Sequence, residues 1–220
     1  MTKKMDILFE DKNLLIINKP SKMLTISSAK EKINTLYHQA SMYVKKQYPK
    51  NKVFIVNRLD RETSGIVVFA KNEEMKKQLQ NHWNEYAQIR EYRAIVEGKM
   101  PKKEETLKNY LYEDKTLRVH ISNQNRGELA ITKYEVIDYK NTYSYLKIQI
   151  QTGKKNQIRV QLSALGNPII GDKKYGAKKN PISRMGLHAS YLELKVPNYK
   201  ETLKISAKIP NQFERMFEVK

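Results

Sequence analysis

Two short apolar runs, VFIV at 53–56 and IVVFA at 66–70, flank the nine residues NRLDRETSG at 57–65. Each run is too short for a helix and rich in β-branched and aromatic side chains, so both read as buried strands and the charged stretch is their connection. A connection carrying Arg58, Asp60, Arg61 and Glu62 belongs at the surface, where loops on rigid scaffolds often hold function. Asp60, one carboxylate between two arginines, is the residue to explain. Two readings stand on the residues alone. In one, Thr63, Ser64 and Gly65 supply turn chemistry and Asp60 is paired with an arginine in a solvated loop. In the other, the loop presents Asp60 for chemistry.

The rest of the chain supplies a mixed order of elements. LLIIN at 14–18 reads as a buried strand stopped by Lys19-Pro20, with residues 23–26 continuing the sheet after that turn. Ile33, Leu36, Tyr37, Ala40 and Val44 share one face at three- and four-residue spacing, which predicts a helix closed by Lys45 and Lys46. Asn72 is a helix N-cap ahead of Glu73 and Glu74, and Met75, Leu79, His82, Trp83 and Tyr86 form the apolar face of a helix ending near Ala87. EYRAIVEG at 91–98 alternates, setting Tyr92, Ala94 and Val96 on one side of a strand closed by Gly98. Residues 99–130, with PKKEE and SNQNRGE, read as short strands such as 117–121 joined by polar loops at the edge of the molecule. Strands resume at 132–139 and 145–151, and Ile158, Leu162 and Leu165 define a short amphipathic helix ended by Gly166. Residues 187–194 and 202–207 add two late strands. Strands dominate over three main helices without a steady β-α alternation, so the expected class is α+β with a mixed sheet.

With 220 residues and 40% hydrophobic content the chain can build a real core. Its 42 Lys and Arg against 23 Asp and Glu leave +19, an excess that points to a polyanionic partner, nucleic acid first. No segment nears the ~20 apolar residues of a membrane span and no basic amphipathic helix stands out, so membrane binding is not expected. The start, MTKKMDILFEDKN, lacks the apolar stretch of a signal peptide, which predicts a cytoplasmic protein. The absence of cysteine removes disulfides, thiolate nucleophiles and thiolate-bound metals. His38, His82, His120 and His188 fall at no metal-ligand spacing, so no metal is expected. Neither GxGxxG nor a GxxxxGK phosphate loop occurs, and no cofactor is expected.

A second constellation lies at 153–159, GKKNQIR, where a helix opens with three cations. From Gln151 to Leu187 there are eight basic side chains and a single acid, Asp172. Backbone amides at a helix start and adjacent lysines suit phosphates, and Tyr175 in the run DKKYGAKK adds a stacking surface. The plainer reading is a solvated basic face. Arg159 follows the apolar Ile158 and leaves the helix at the border of its buried side, within reach of a carboxylate there. A guanidinium favours the charged form of a neighbouring carboxylate, which in a basic groove can act as nucleophile or base at a sugar carbon.

At this point the residues resemble a known family. NRLDRETSGIVVFAK at 57–71 resembles the HRLDxxTSG motif of the RluA family of RNA pseudouridine synthases. EDKNLLIINKPSKMLT at 10–25 is similar to that family's opening segment, REYRAIVEG at 90–98 to its tyrosine-bearing strand, TGKKNQIRVQLSALGNPIIGDKKYG at 152–176 to its arginine motif, and RMGLHASYLEL at 184–194 to its closing strand. The ordered segments run from Asp6 to Phe213, and their collective order is specific where a lone RLD is not. The resemblance implies a mixed, largely antiparallel sheet with flanking helices and a long basic RNA-binding cleft. It also implies a reaction without metal, redox change or organic cofactor: in a uridine of RNA the N1 glycosidic bond breaks, the uracil turns in the site, and C5 bonds to C1′.

By the resemblance Asp60 is the catalytic aspartate, acting at C1′ either as nucleophile or as base for a glycal intermediate. Tyr92 matches the tyrosine that stacks on the target base and assists removal of the C5 proton; on the residues alone it is a core tyrosine of an alternating strand. Arg159 matches the arginine that pairs with the aspartate, Ile158 the apolar residue beside the uracil, and Arg58 the arginine that enters the RNA as the target nucleotide turns out. Arg61, Lys154, Lys155, Asn156 and Gln157 are further residues expected on the RNA. Asn57 stands where the motif usually has histidine, Lys154 where arginine is usual, Asn156 and Asn167 where histidines are common, and Lys22 where a glycine usually follows KPS. The first four bear on RNA contacts and substrate identity more than on chemistry. Many relatives carry an S4 RNA-binding domain, whereas residues 1–220 are expected to form a single catalytic domain without one. The expectation is a monomeric isomerase acting on structured ribosomal or transfer RNA. The alternative is an inactive RNA-binding or RNA-remodelling protein of the same fold. A nuclease or glycosidase lacks a second carboxylate or metal set at suitable spacing.

Overall fold

The computed structural model describes residues 5–28, 31–122 and 126–217, so part of the SNQNRGE loop lies outside the described residues. In chain order the elements begin with β1 (Ile7–Glu10), β2 (Leu14–Lys19), α1 (Leu36–Gln47), β3 (Phe54–Ile55), β4 (Ser64–Ala70), α2 (Glu73–Asn81) and α3 (Trp83–Tyr86). Then come β5 (Ala87–Glu97), β6 (Glu104–Glu113), β7 (Val119–Ile121), β8 (Glu128–Lys140), β9 (Tyr143–Ile150) and α4 (Gln157–Ala164). A 3-10 turn (Lys173–Tyr175), β10 (Leu187–Leu194), β11 (Leu203–Ser206) and α5 (Asn211–Phe217) complete them. The chain forms two compact units, Met1–Gln88 with Ala189–Ala207 and Ile89–His188 with Lys208–Lys220.

In the first unit β2 lies between β1 and β4, antiparallel to both, with Leu14 opposite Ala70 and Lys19 opposite Gly65. β3 also pairs with β4, and β11 pairs antiparallel with β10. Every residue of β4 is buried, which explains why its sequence is a continuous apolar run rather than an alternation. Leu14, Ile16, Ile66 and Val68 form one core with Met75 and Leu79 of α2 and Leu192 and Leu194 of β10. Asn72 caps α2 as expected, accepting the Met75 amide at 2.8 Å. In α1 the buried face is Leu36, Ala40 and Val44. Ile33 falls before the helix and is 70% exposed, because Thr35 takes the cap position and accepts the His38 amide at 3.2 Å. Residues 23–26 make one isolated bridge, Leu24 with Thr35, instead of continuing the sheet. The carbonyls of Leu24 and Thr25 receive the amides of Leu36 and Tyr37, so this segment satisfies the start of α1.

In the second unit the strand order is β5-β9-β8-β6-β7, antiparallel throughout. Ala94, Val96, Tyr134, Leu146 and Ile148 pack against Ile158 and Leu162 of α4. Ile95 and Tyr145, on the alternate positions, pack against Phe213 and Phe217 of α5. Two elements exceed the expectation from sequence. β6 is one ten-residue strand where short strands joined by polar loops were expected, and α5 closes a face that the pattern left open. β7 is shorter than expected because Leu117 adopts φ +62 and is exposed, outside the ladder. The largely antiparallel strands with flanking helices match the α+β class that the mixed order predicts.

Glu10 ties β1 to α1 and to Lys71, the residue after β4. Its carboxylate accepts the Tyr43 hydroxyl at 2.7 Å, the Gln47 amide at 3.1 Å and the Lys71 ammonium at 2.9 Å. Burial favours its neutral form, but these hydrogen bonds outweigh that and hold Glu10 below the ordinary 4.5. A carboxyl group with a depressed folded pKa contributes stability that is complete above the unfolded value and is lost as pH falls through the folded one. Glu10→Gln is therefore expected to lower the melting temperature near neutral pH, with the gap to the wild type narrowing in acid. Thermal melts of both proteins from about pH 7 down to about pH 3 check this.

Candidate functional site

Asp60 is half-buried in the loop between β3 and β4, with Arg58 and Arg61 exposed on either side and Leu59 turned inward. The segment after β2 clamps this loop. Lys19 is fully buried and gives its ammonium to the carbonyls of Pro20 at 3.1 Å, Met23 at 2.7 Å and Arg61 at 3.2 Å. A buried ammonium needs acceptors for its protons, and these carbonyls provide them. The Thr25 hydroxyl donates to the Leu59 carbonyl at 2.9 Å and accepts the Leu59 amide at 3.2 Å. The Ser21 hydroxyl donates to the Glu62 carbonyl at 2.6 Å, and the Thr63 amide returns to the Asp60 carbonyl at 3.2 Å. At the start of the loop, Asn57 Oδ1 accepts the Val68 amide of β4 at 2.8 Å. Gly65, at φ +116, ends it: a Cβ there would stand 2.1 Å from the Ala189 carbonyl oxygen. Lys22 adopts φ +67, the left-handed conformation that suits the glycine usual at this place, so the turn forms with a lysine at some strain.

The other expected residues belong to the second unit. Tyr92 lies on β5 opposite Ile148 and packs, partly buried, against the cluster that holds Ile158. α4 is enclosed more fully than its apolar spacing suggests, since residues 157–162 are all buried. Arg159 is among them. Its Nε and Nη2 donate to Asp172 Oδ2 at 2.7 Å and Oδ1 at 2.8 Å, a bidentate pair on a carboxylate only 3% exposed. The guanidinium also lies 5.1 Å from the centre of the Tyr175 ring, which Arg118 and Lys174 approach at 5.4 and 5.7 Å. Asp172 caps the 3-10 turn by accepting the Tyr175 amide at 3.3 Å. Burial pushes the Tyr175 phenol above its ordinary value. The sequence signal for Asp172 was its being the single acid of a basic stretch.

Gln157 points inward. Its Oε1 accepts the Thr152 hydroxyl at 2.8 Å and the Lys154 amide at 3.0 Å, while its Nε2 donates to Ile131 and Thr132. Asn156 starts α4 at φ +53, and its Oδ1 accepts the Tyr175 hydroxyl at 3.1 Å. Lys154 and Lys155 stay at the surface, paired with Glu128 at 2.6 Å and with Glu113. Asn167 Nδ2 donates to the Glu97 carbonyl at 2.8 Å. Asn57, Asn156 and Asn167, three of the five departures, thus each bond within the protein. Among the described residues no group of three His, Cys, Asp or Glu is placed to hold a metal ion, and no helix is long and apolar enough to cross a membrane. Replacing Lys19 by Met would strand the carbonyls of Pro20, Met23 and Arg61. Lys19→Met is expected to lower the unfolding free energy by about 2 kcal/mol, measured by urea denaturation.

Comparison with known proteins adds an independent line. The family model of RNA pseudouridylate synthases matches residues 13–164. The chain is 35% identical over 214 residues to a Rickettsia prowazekii protein named ribosomal large subunit pseudouridine synthase C, spanning 95% of this chain and 69% of that one. It is 32% identical over 235 residues to the tRNA pseudouridine synthase C of Haemophilus ducreyi, spanning 97% and 94%. The solved structure of human RNA pseudouridylate synthase domain containing 4 shares the fold, with a TM-score of 0.77 at 24% identity over 94% of this chain and 90% of that one.

Proposed function

The chain belongs to the RluA-type RNA pseudouridylate synthases, which isomerise uridine in RNA to pseudouridine, and from that premise we propose that Asp60, Tyr92 and Arg159 divide the chemistry among them. Asp60 acts at C1′ as the N1 bond breaks. Tyr92 stacks on the uracil, beside Ile158, and takes part in removing the C5 proton once C5 is bonded to C1′. Arg159 is the cation that serves the Asp60 carboxylate. Its orientation by Asp172 and Tyr175 supports this reading, because a charge fixed before substrate arrives needs no reorganisation during the reaction.

The substrate is a structured ribosomal or transfer RNA held in a basic cleft. Arg58 and Arg61, exposed beside Asp60, and Lys154 and Lys155 at the start of α4 take its phosphates. Arg58 enters the RNA as the target nucleotide turns out, offsetting an unstacking cost of a few kcal/mol. Asn156 and Gln157 contribute by fixing the backbone that carries the two lysines. The chain acts as one catalytic domain, as a cytoplasmic monomer, and its net charge of +19 supplies salt-dependent affinity for RNA. Isomerisation exchanges a C–N for a C–C bond within one nucleotide, so neither cofactor nor metal takes part.

The observation that carries the reading is the loop itself, a half-buried Asp60 between exposed arginines on backbone held by Lys19, Thr25 and Asn57. Asn57, Asn156 and Asn167, which depart from the usual motif, have structural bonds of their own, so they give the inactive alternative no support. Asp60→Asn is expected to abolish pseudouridine formation while folding and RNA binding persist. Pseudouridine mapping across cellular RNAs, in cells carrying the wild type, the variant or neither, identifies the target; modification that survives in the variant overturns the role of Asp60.

A further inference from the structure

Arg90 takes part in neither the loop clamp nor the buried ion pair. It precedes Tyr92 by two residues on β5, which sets both side chains on one face of the strand, about 7 Å apart along it. Only 7% of Arg90 is exposed. Its Nη2 donates to the Gln151 carbonyl, its Nη1 lies 3.3 Å from where a Cβ on Gly153 would stand, and its buried Nε has no hydrogen-bond partner among the described residues. No carboxylate among the described residues offsets its charge; burial lowers its pKa, and the group that acts in the opposite direction is Tyr92. A buried cation with a neutral carbonyl for company is costly, and it lowers the energy of any anion formed beside it.

We propose that Arg90 is a positioning residue that stabilises the phenolate of Tyr92 and thereby equips Tyr92 to act as the base for the C5 proton. The proposal rests on the reading of Tyr92 given above. After C5 has bonded to C1′, the C5–H bond breaks and its proton passes to the phenolate oxygen. The electron pair left behind forms the C5–C6 double bond, while the N1–C6 π pair moves to N1, which takes up a proton. The Tyr92 phenol returns its proton to water before the next turnover. No oxidant or reductant enters. A plain structural role for Arg90, holding Gln151 and the turn before α4, predicts none of this dependence on ionisation.

The test has two arms. In the first, protein without RNA carries tyrosine labelled with 13C at the ring carbon that bears the hydroxyl, and the Tyr92 resonance is assigned by its loss in Tyr92→Phe. Followed against pH, Tyr92 is expected to ionise about one unit lower in the wild type than in Arg90→Met, the shift of a tenfold equilibrium change. Equal midpoints overturn the proposal. Should Arg90→Met fail to fold, the wild-type midpoint decides: below the ordinary phenol value of about 10 supports the proposal, and at or above it overturns it. In the second arm, single-turnover rates are measured on an RNA that the wild type modifies. Arg90→Met is expected to be about tenfold slower near neutral pH with unchanged RNA binding, and to keep gaining rate at pH values where the wild type has levelled off. A loss by the same factor at every pH assigns Arg90 the structural role and overturns the proposal. The first arm needs no activity, so a failure of the proposed function, seen as no RNA being modified, is distinguishable from a failure of this one.

Discussion

The buried ion pair of Arg159 and Asp172 is the constraint on which the second unit is arranged. A guanidinium on a helix whose residues 157–162 are all buried needs a counter-charge inside the protein, since removing one partner of such a pair costs about 3–5 kcal/mol. Asp172 meets that need with both oxygens and caps the 3-10 turn with the same carboxylate. The turn places Tyr175 against the guanidinium, and the Tyr175 hydroxyl reaches Asn156, where α4 starts. Helix start, turn and cation therefore depend on one another. That coupling limits the rotamers open to Arg159, which a positioned cation requires.

The Asp60 loop meets the same problem with neutral partners. Lys19 brings a buried ammonium to backbone carbonyls on both sides of the crossing, one of them that of Arg61. Thr25 and Asn57 add short polar side chains that bond directly to main chain. Its backbone is held at Leu59, Arg61 and Glu62, and the Asn57 side chain ties its start to β4. A loop between a half-buried and a buried strand thereby gains a defined shape without regular secondary structure.

Legibility in the sequence follows the range of the interactions involved. β4, the Asn72 cap and β10 were readable because each rests on a continuous apolar run, a cap three residues from the amide it accepts, or strand alternation. The full length of β6 was not, because its buried residues, Leu107 and Leu111, are four apart among polar neighbours, and pairing with β8 and β7 makes the segment a strand. α5 is seven residues long and is held by Phe213 and Phe217 against Ile95 and Tyr145, more than sixty residues away in the chain. Residues 23–26 have strand-forming side chains, yet their carbonyls serve the first turn of α1.

The α+β class, the strands around Asp60, the polyanionic partner implied by the charge and, through the resemblance, the family and its reaction are all legible in the residues alone. Tertiary structure alone decided the partners of the buried polar groups: Asp172 for Arg159, the carbonyls of Pro20, Met23 and Arg61 for Lys19, and an inward network for Gln157. Periodicity and caps arise from residues a few positions apart, so they are written locally. A buried donor takes whichever acceptor the packing of distant segments brings within about 3 Å, and no local pattern contains that choice.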